Sequence, residues 1–342
     1  MGCDFLGGVW HLMRVIATPT RLHFVLGKGG VGRTTTAGAL ALALREASGG
    51  AAVLVVEMDE LSTEAGGADA PGNFPALLRA FGHAESETPA TPEEAFWPRP
   101  VAPGIDAARL TAACGHEAFL KSALPGGVML TGALRSRPIR RFLESAPAFH
   151  EMGQMAHLAA LVGALDGVSP PRRYAHAVVD LPATGHALAL AELPDAARKI
   201  IPVGPVARGL AEVQACMRDP RRSDVWVVTL PETLPVSETL ELLEALRTHG
   251  QPAPRIVVNR WPADPFDGAE PAARAAAAAL VARHPEVRGA RAFRALIEAR
   301  EATARLPETL TVVRSPHRPD LSGQALLTAL ASALRPTAGG VR

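Results

Sequence analysis

The run Gly27-Lys28-Gly29-Gly30-Val31-Gly32-Arg33-Thr34-Thr35 restricts what this chain can become more than any other stretch. It joins a short apolar run at 21–26 to an alanine- and leucine-rich stretch at 34–47. An apolar run stopped by glycine, a glycine-rich link and a helix-forming segment read as strand, loop and helix. Glycines at 27, 29, 30 and 32 let the backbone turn tightly and keep side chains out of the way of an approaching anion. Successive backbone N–H groups and the positive end of the following helix then face that anion, so the spacing predicts a phosphate cradle.

Around that nucleus the pattern repeats. Residues 51–57 form a second apolar run without alternation, as a strand buried on both faces of a parallel sheet requires. Similar runs recur at 175–179, 224–230, 255–258 and 309–313, with helical patterns between them at 237–248, 271–283 and 321–334. Alternation of this kind predicts an α/β fold with a doubly wound, mostly parallel sheet. The organisation expected is an N-terminal extension at 1–20, a single domain at 21–334 and a tail at 335–342. Residues 84–104, rich in proline and acidic side chains, read as a surface loop. A helical insertion without strands is expected at about 111–163.

Composition narrows the partners. The 342 residues are 48% apolar, enough for a sizeable core, and the net charge is +1. A chain this close to neutral has no overall attraction for nucleic acid or anionic lipid, and the pairs Arg140-Arg141 and Arg221-Arg222 are too short to make a nucleic-acid patch. No apolar stretch reaches the ~18 residues of a membrane span, so direct membrane insertion is not expected. Cys3, Cys114 and Cys216 are odd in number and far apart, which fits no disulfide framework and suggests a reducing cytoplasm.

The loop matches the spacing G-x-x-x-x-G-K-[ST] at every position except the lysine, where Arg33 stands. Thr34 falls where a hydroxyl joins a Mg²⁺ shell, and Thr35 where a second hydroxyl bonds an inner phosphate. Guanidinium keeps the positive charge but is planar and longer than an ammonium, so nucleotide binding should survive the change better than hydrolysis does. Lysine occurs only at 28, 121 and 199. Drift towards arginine therefore competes with a specialised site as the origin of Arg33. Asp180, at the end of the apolar run 175–179, lies where ligands of open α/β sheets bind and is the candidate for orienting the metal.

A basic residue just after the first glycine, Lys28, resembles the deviant phosphate loop of the ATPase class that includes ParA, MinD, nitrogenase iron protein and the arsenite-pump ATPases. Asp180-Leu181-Pro182-Ala183-Thr184-Gly185-His186 is similar to the second switch of one branch, the arsenite-pump and tail-anchored-protein-targeting (ArsA-like) ATPases. Residues 229–239, TLPETLPVSET, resemble a further signature of that branch; as plain chemistry, Ser237 there could cap a helix. The resemblance implies bound ATP and Mg²⁺, with Gly27 to Thr35 around the phosphates and Thr34 and Asp180 around the metal. It also implies Lys28 reaching across a homodimer or paralogue heterodimer and Asp59 positioning the attacking water. Asn259 would read the adenine edge.

Each of these has a plainer alternative: a solvated lysine, a helix-capping aspartate, a turn asparagine. The first switch departs from the family after Asp59. The activity implied is ATP hydrolysis coupled to a protein client or an anion-transport partner in a membrane. The alternative is a catalytically weak nucleotide-binding regulatory or scaffold subunit. Met129, Leu130, Leu134, Phe142, Leu143, Phe149, Met152, Met155 and Leu158 form either a client groove or ordinary core packing.

Overall fold

Val, Ile and Leu crowd the central strands, and their alternate side chains are buried on opposite faces of one eight-stranded sheet. The protein is seen in a computed structural model that describes residues 20–58, 76–83, 97–111, 114–115, 147–163, 173–182, 215–266 and 270–335. In chain order the described elements begin with β1 (Arg21–Gly27), α1 (Arg33–Ala47), β2 (Val53–Met58), α2 (Ala76–Ala80), β3 (Arg99–Ala102) and β4 (Ile105–Leu110). There follow α3 (Pro147–Leu161), β5 (His176–Asp180), β6 (Ser223–Thr229), α4 (Thr233–Thr248) and β7 (Arg255–Trp261). The chain continues through α5 (Pro271–Arg283), α6 (Ala290–Thr303), β8 (Val312–Pro316) and α7 (Gly323–Ala331).

The strand order is β3-β4-β2-β5-β1-β6-β7-β8. Every neighbouring pair is parallel except β3 with β4. The chain starts in the middle at β1, moves outward on one side, returns through β5 and then crosses to β6 on the other side. The order therefore reverses around β1, and the carboxyl end of that strand opens into the crevice where such sheets bind ligands.

Burial follows the two-residue period. Phe24, Leu54, Val56, Val179, Val227 and Ile256 pack on one face with Leu158 and Leu161 of α3 and Leu242 and Leu246 of α4. Val25, Val55, Val178, Trp226 and Val257 pack on the other with Leu40 and Leu44 of α1 and Leu327 and Leu330 of α7. This is the doubly wound α/β arrangement that the unalternating apolar runs require. A smaller cluster joins α5 to α6, where Phe293 meets Phe266 edge to face at 5.2 Å.

Some expectations need correction. Residues 99–102, read as part of a loop, form the edge strand β3, and β4 follows without having been recognised. Pro100 hides the strand from a propensity reading; it is tolerated because it sits at an edge, beside an irregularity in the β3–β4 pairing. Helix α4 starts at Thr233, so Ser237 is not a cap: its hydroxyl donates to the Thr233 carbonyl at 2.9 Å and accepts from Arg305. Helix α6 has an apolar stripe that the sequence reading passed over.

Within the expected insertion, α3 is held to the end of β4. Thr111 N–H donates to His157 Nδ1 at 3.2 Å, and Gln154 donates to the Leu110 carbonyl at 3.3 Å. Leu158 is core and Met155 packs against it. Met129, Leu130, Leu134, Phe142 and Leu143 lie outside the described residues, as do the side chains of Phe149 and Met152. The same is true of residues 1–19, the tail from 336, and Cys3. Cys114 and Cys216 take part in no disulfide among the described residues.

At the amino end of the central strands lies a charged network. Arg21 donates twice to Asp224, at 2.7 and 2.9 Å, and His23 Nε2 lies 3.1 Å from His176 Nδ1. The other nitrogen of His23 is 3.2 Å from Asp224 Oδ2 but is not aligned for a hydrogen bond. Burial holds His23 well below the ordinary imidazole range, and His176, Arg21 and Arg255 reinforce the shift. In the unfolded chain the same imidazole binds a proton near pH 6.5, so acid favours the unfolded state through this residue. The stability difference between wild type and His23→Gln, measured by urea unfolding, should therefore shrink as pH falls below about 6.5, by up to about 1.4 kcal/mol per pH unit. A difference constant from pH 7.5 to 5.5 would refute this account.

Candidate phosphate-binding site

The loop between β1 and α1 is shaped by two glycines that admit no side chain. At Gly27, the last residue of β1, a Cβ would stand 2.5 Å from the backbone oxygen of Val228 on β6. At Gly32 the backbone is left-handed, φ 92°, and a Cβ would stand 2.2 Å from Asn259 Nδ2. Gly32 is also the N-cap of α1, and its carbonyl accepts both the N–H and the hydroxyl of Thr36 at 2.9 Å. Between these fixed points Lys28, Gly29 and Gly30 are exposed, while Val31 is buried in the core beside α1.

Arg33, Thr34 and Thr35 form the first turn of α1. Thr34 donates its hydroxyl to Asp180 Oδ2 at 2.6 Å, joining the helix start to the last residue of β5. The other oxygen of Asp180 is buried without a hydrogen-bond partner. Burial pushes this carboxyl up to about 7; Glu57, opposite it on β2, adds to the rise, while the Thr34 hydrogen bond and the Arg33 charge oppose it. A hydroxyl and a carboxylate with a spare buried oxygen are hard oxygen donors of the kind Mg²⁺ takes, and Mg²⁺ bound with phosphates needs only one or two protein ligands. The donor set therefore fits that ion. No cluster of three or more His, Cys, Asp or Glu suited to a metal occurs among the described residues.

The two basic residues are turned elsewhere. The Arg33 guanidinium donates to the carbonyl of Leu181, the residue after Asp180. The Lys28 ammonium lies 3.1 Å from Glu238 on α4 and is about half exposed. Asn259 donates to the Val31 carbonyl at 2.9 Å and is itself buried. Asp59 and residues 183–186 lie outside the described residues. Sequence reasoning thus anticipated the Thr34–Asp180 pair, but not the partners of Lys28, Arg33 and Asn259. Glu238 lies within the TLPETLPVSET segment already singled out; a backbone carbonyl such as Leu181 or Val31 leaves no trace in sequence.

A glycine loop leading from the central strand of a doubly wound sheet into a helix, with a threonine–aspartate pair at its mouth, defines the chain as an α/β protein of the P-loop NTPase type. Comparison with known proteins agrees. The chain is 31% identical over 257 residues to ATPase BagA of Mycobacterium tuberculosis, across 70% of this chain and 65% of that protein. It is 27% identical over 275 residues to ATPase ARSA1 of Chlamydomonas reinhardtii, across 69% of this chain and 34% of that protein. The chain thus spans a little under two thirds of the first relative's length and about one third of the second's. No family model matches. Both of these relatives are named ATPases.

The glycines provide a direct check on the loop geometry. Gly27→Ala and Gly32→Ala should each destabilise the protein by about 2 kcal/mol or more in denaturant titrations, because backbone and a buried amide stand in the way. Gly29→Ala meets nothing within 4 Å and should stay within about 0.5 kcal/mol of wild type. Equal effects at all three positions would contradict the geometry.

Proposed function

We propose that the chain binds Mg·ATP in this loop and hydrolyses it, as an ArsA-like ATPase whose nucleotide state governs closure of a dimer, with itself or with a paralogue. Closure would be coupled to a protein client or to an anion-transporting membrane partner. The observation that carries the reading is the 2.6 Å contact of Thr34 with Asp180 at the head of a helix opened by a glycine loop. The relatives' names, both ATPases, support it.

In this reading the loop N–H groups and the positive end of α1 hold the phosphates. Thr34 and Asp180 would hold Mg²⁺, which when bound neutralises charge on the phosphate oxygens. Lys28 leaves Glu238 at little cost, since an exposed ion pair contributes only about 0–1 kcal/mol, and brings its charge to phosphate across the dimer. Asp59, just beyond β2, orients the attacking water.

A second reading, a weakly catalytic regulatory subunit, is favoured by one observation: Arg33 is hydrogen-bonded to the Leu181 carbonyl. Single-turnover hydrolysis measured beside nucleotide affinity separates the two. Wild type should turn over its bound ATP. Arg33→Lys should raise the rate by about tenfold or more, because an ammonium in place of the planar guanidinium better complements charge developing on the phosphates. Tight binding without any turnover in wild type would replace the enzyme reading with the second one.

A further inference from the structure

Asn259 is the residue whose placement departs most from what its position in the sequence leads one to expect. A side-chain amide reads a base edge by offering a donor and an acceptor together. Here the head group is buried, only 5% exposed, and its nitrogen is engaged by the Val31 carbonyl at 2.9 Å. One hydrogen of that nitrogen is committed to the loop between β1 and α1, so the amide is tied to the loop backbone before any base arrives.

The backbone around Asn259 is built for this contact. Between the pairs Val258–Arg314 and Trp261–Pro316, β7 advances three residues while β8 advances two. The extra residue falls at Arg260, whose φ of 56° makes it the one non-glycine residue with positive φ among those described. A one-residue bulge of this kind re-aims the side chains beside it. Beyond it the strand is pinned again, by Arg314 lying 4.7 Å from the Trp261 ring centre and by His317 N–H donating to the Trp261 carbonyl at 2.9 Å. On the loop side, Gly32 is the residue whose missing Cβ leaves room for the Asn259 nitrogen.

The peptide between Val31 and Gly32 is planar, and no cis bond occurs among the described residues. In a trans peptide the carbonyl and the next N–H point in opposite directions. Fixing the Val31 carbonyl towards Asn259 therefore directs the Gly32 N–H away from β7.

We propose that Asn259 is a positioning residue for the phosphate loop: it holds the Val31 carbonyl so that the Gly32 N–H is presented to bound phosphate, and it contributes to affinity whatever base the phosphates carry. The inference rests on reading the loop as a nucleotide site. Calorimetric titration of wild type and Asn259→Ala with Mg·ATP, Mg·GTP and inorganic tripolyphosphate tests it, with melting temperatures recorded beside the affinities. Every ligand that wild type binds should weaken together, by about tenfold or more, while the melting temperature falls by only a few degrees, as loss of one buried hydrogen bond requires. A loss confined to ATP would assign Asn259 to the base and overturn the proposal. A lower melting temperature with unchanged affinities would reduce the residue to a structural role and overturn it as well. If wild type binds none of the three ligands, the nucleotide-site reading itself fails. Asn259→Ser, whose hydroxyl is too short to reach Val31, carries the same expectations where the alanine variant does not fold.

Discussion

At Gly27 the backbones of β1 and β6 come so close that the Val228 oxygen occupies the space next to a missing side chain. Much of the molecule is arranged around that approach. It brings the carboxyl end of the central strand against its neighbour, so the following residues leave the sheet and turn above it. The same turn delivers Arg33 to the start of α1, a helix whose buried face is mostly small, from Ala37 through Ala43. Small residues there let the helix lie close over β1, β2 and β5. A bulkier residue at Gly27 would have to shift backbone on β6, which in turn pairs with β7, the strand that carries Asn259.

Much of this was legible in the sequence, for a physical reason. Strands buried on both faces have no polar side to interrupt them, so β1, β2, β5, β6 and β7 stand out as unbroken apolar runs and were located to within two or three residues. The hairpin β3–β4 was missed because the edge strand β3 tolerates proline and charge, as Arg99 and Pro100 illustrate, and because Asp106 and Arg109 interrupt the apolar run of β4. Asp106 survives burial through the Tyr174 hydroxyl, which donates to it at 2.9 Å, and nothing local announces so distant a partner. The site divides the same way. Glycine spacing and a strand-end aspartate pointed to the loop between β1 and α1 and to Thr34 and Asp180, which the structure brings together. The orientations of Lys28, Arg33 and Asn259 depend on groups as far as 228 residues away, and spacing within a motif carries no information about them.

Two clusters of titratable groups lie at opposite ends of the same strands, and their chemistry differs accordingly. At the amino end, His23 is kept neutral by burial and by surrounding positive charge. At the carboxyl end, Asp180 is driven towards protonation by burial and by Glu57, against the Thr34 hydrogen bond and the Arg33 charge. The first leaves one nitrogen of a neutral ring without a hydrogen-bond partner. The second leaves one oxygen of a carboxyl group without a partner, and an acceptor in that condition is stabilised by an incoming cation.

The hydrogen bond from Arg33 to the Leu181 carbonyl gives the loop an internal rival for its own cation. A phosphate that draws this guanidinium away from Leu181 releases that carbonyl, the first beyond β5. Where the two compete, the charge available to the loop and the placement of the Leu181 carbonyl are linked thermodynamically. Whatever strengthens one tether weakens the other by the same free energy, and the linkage runs in both directions.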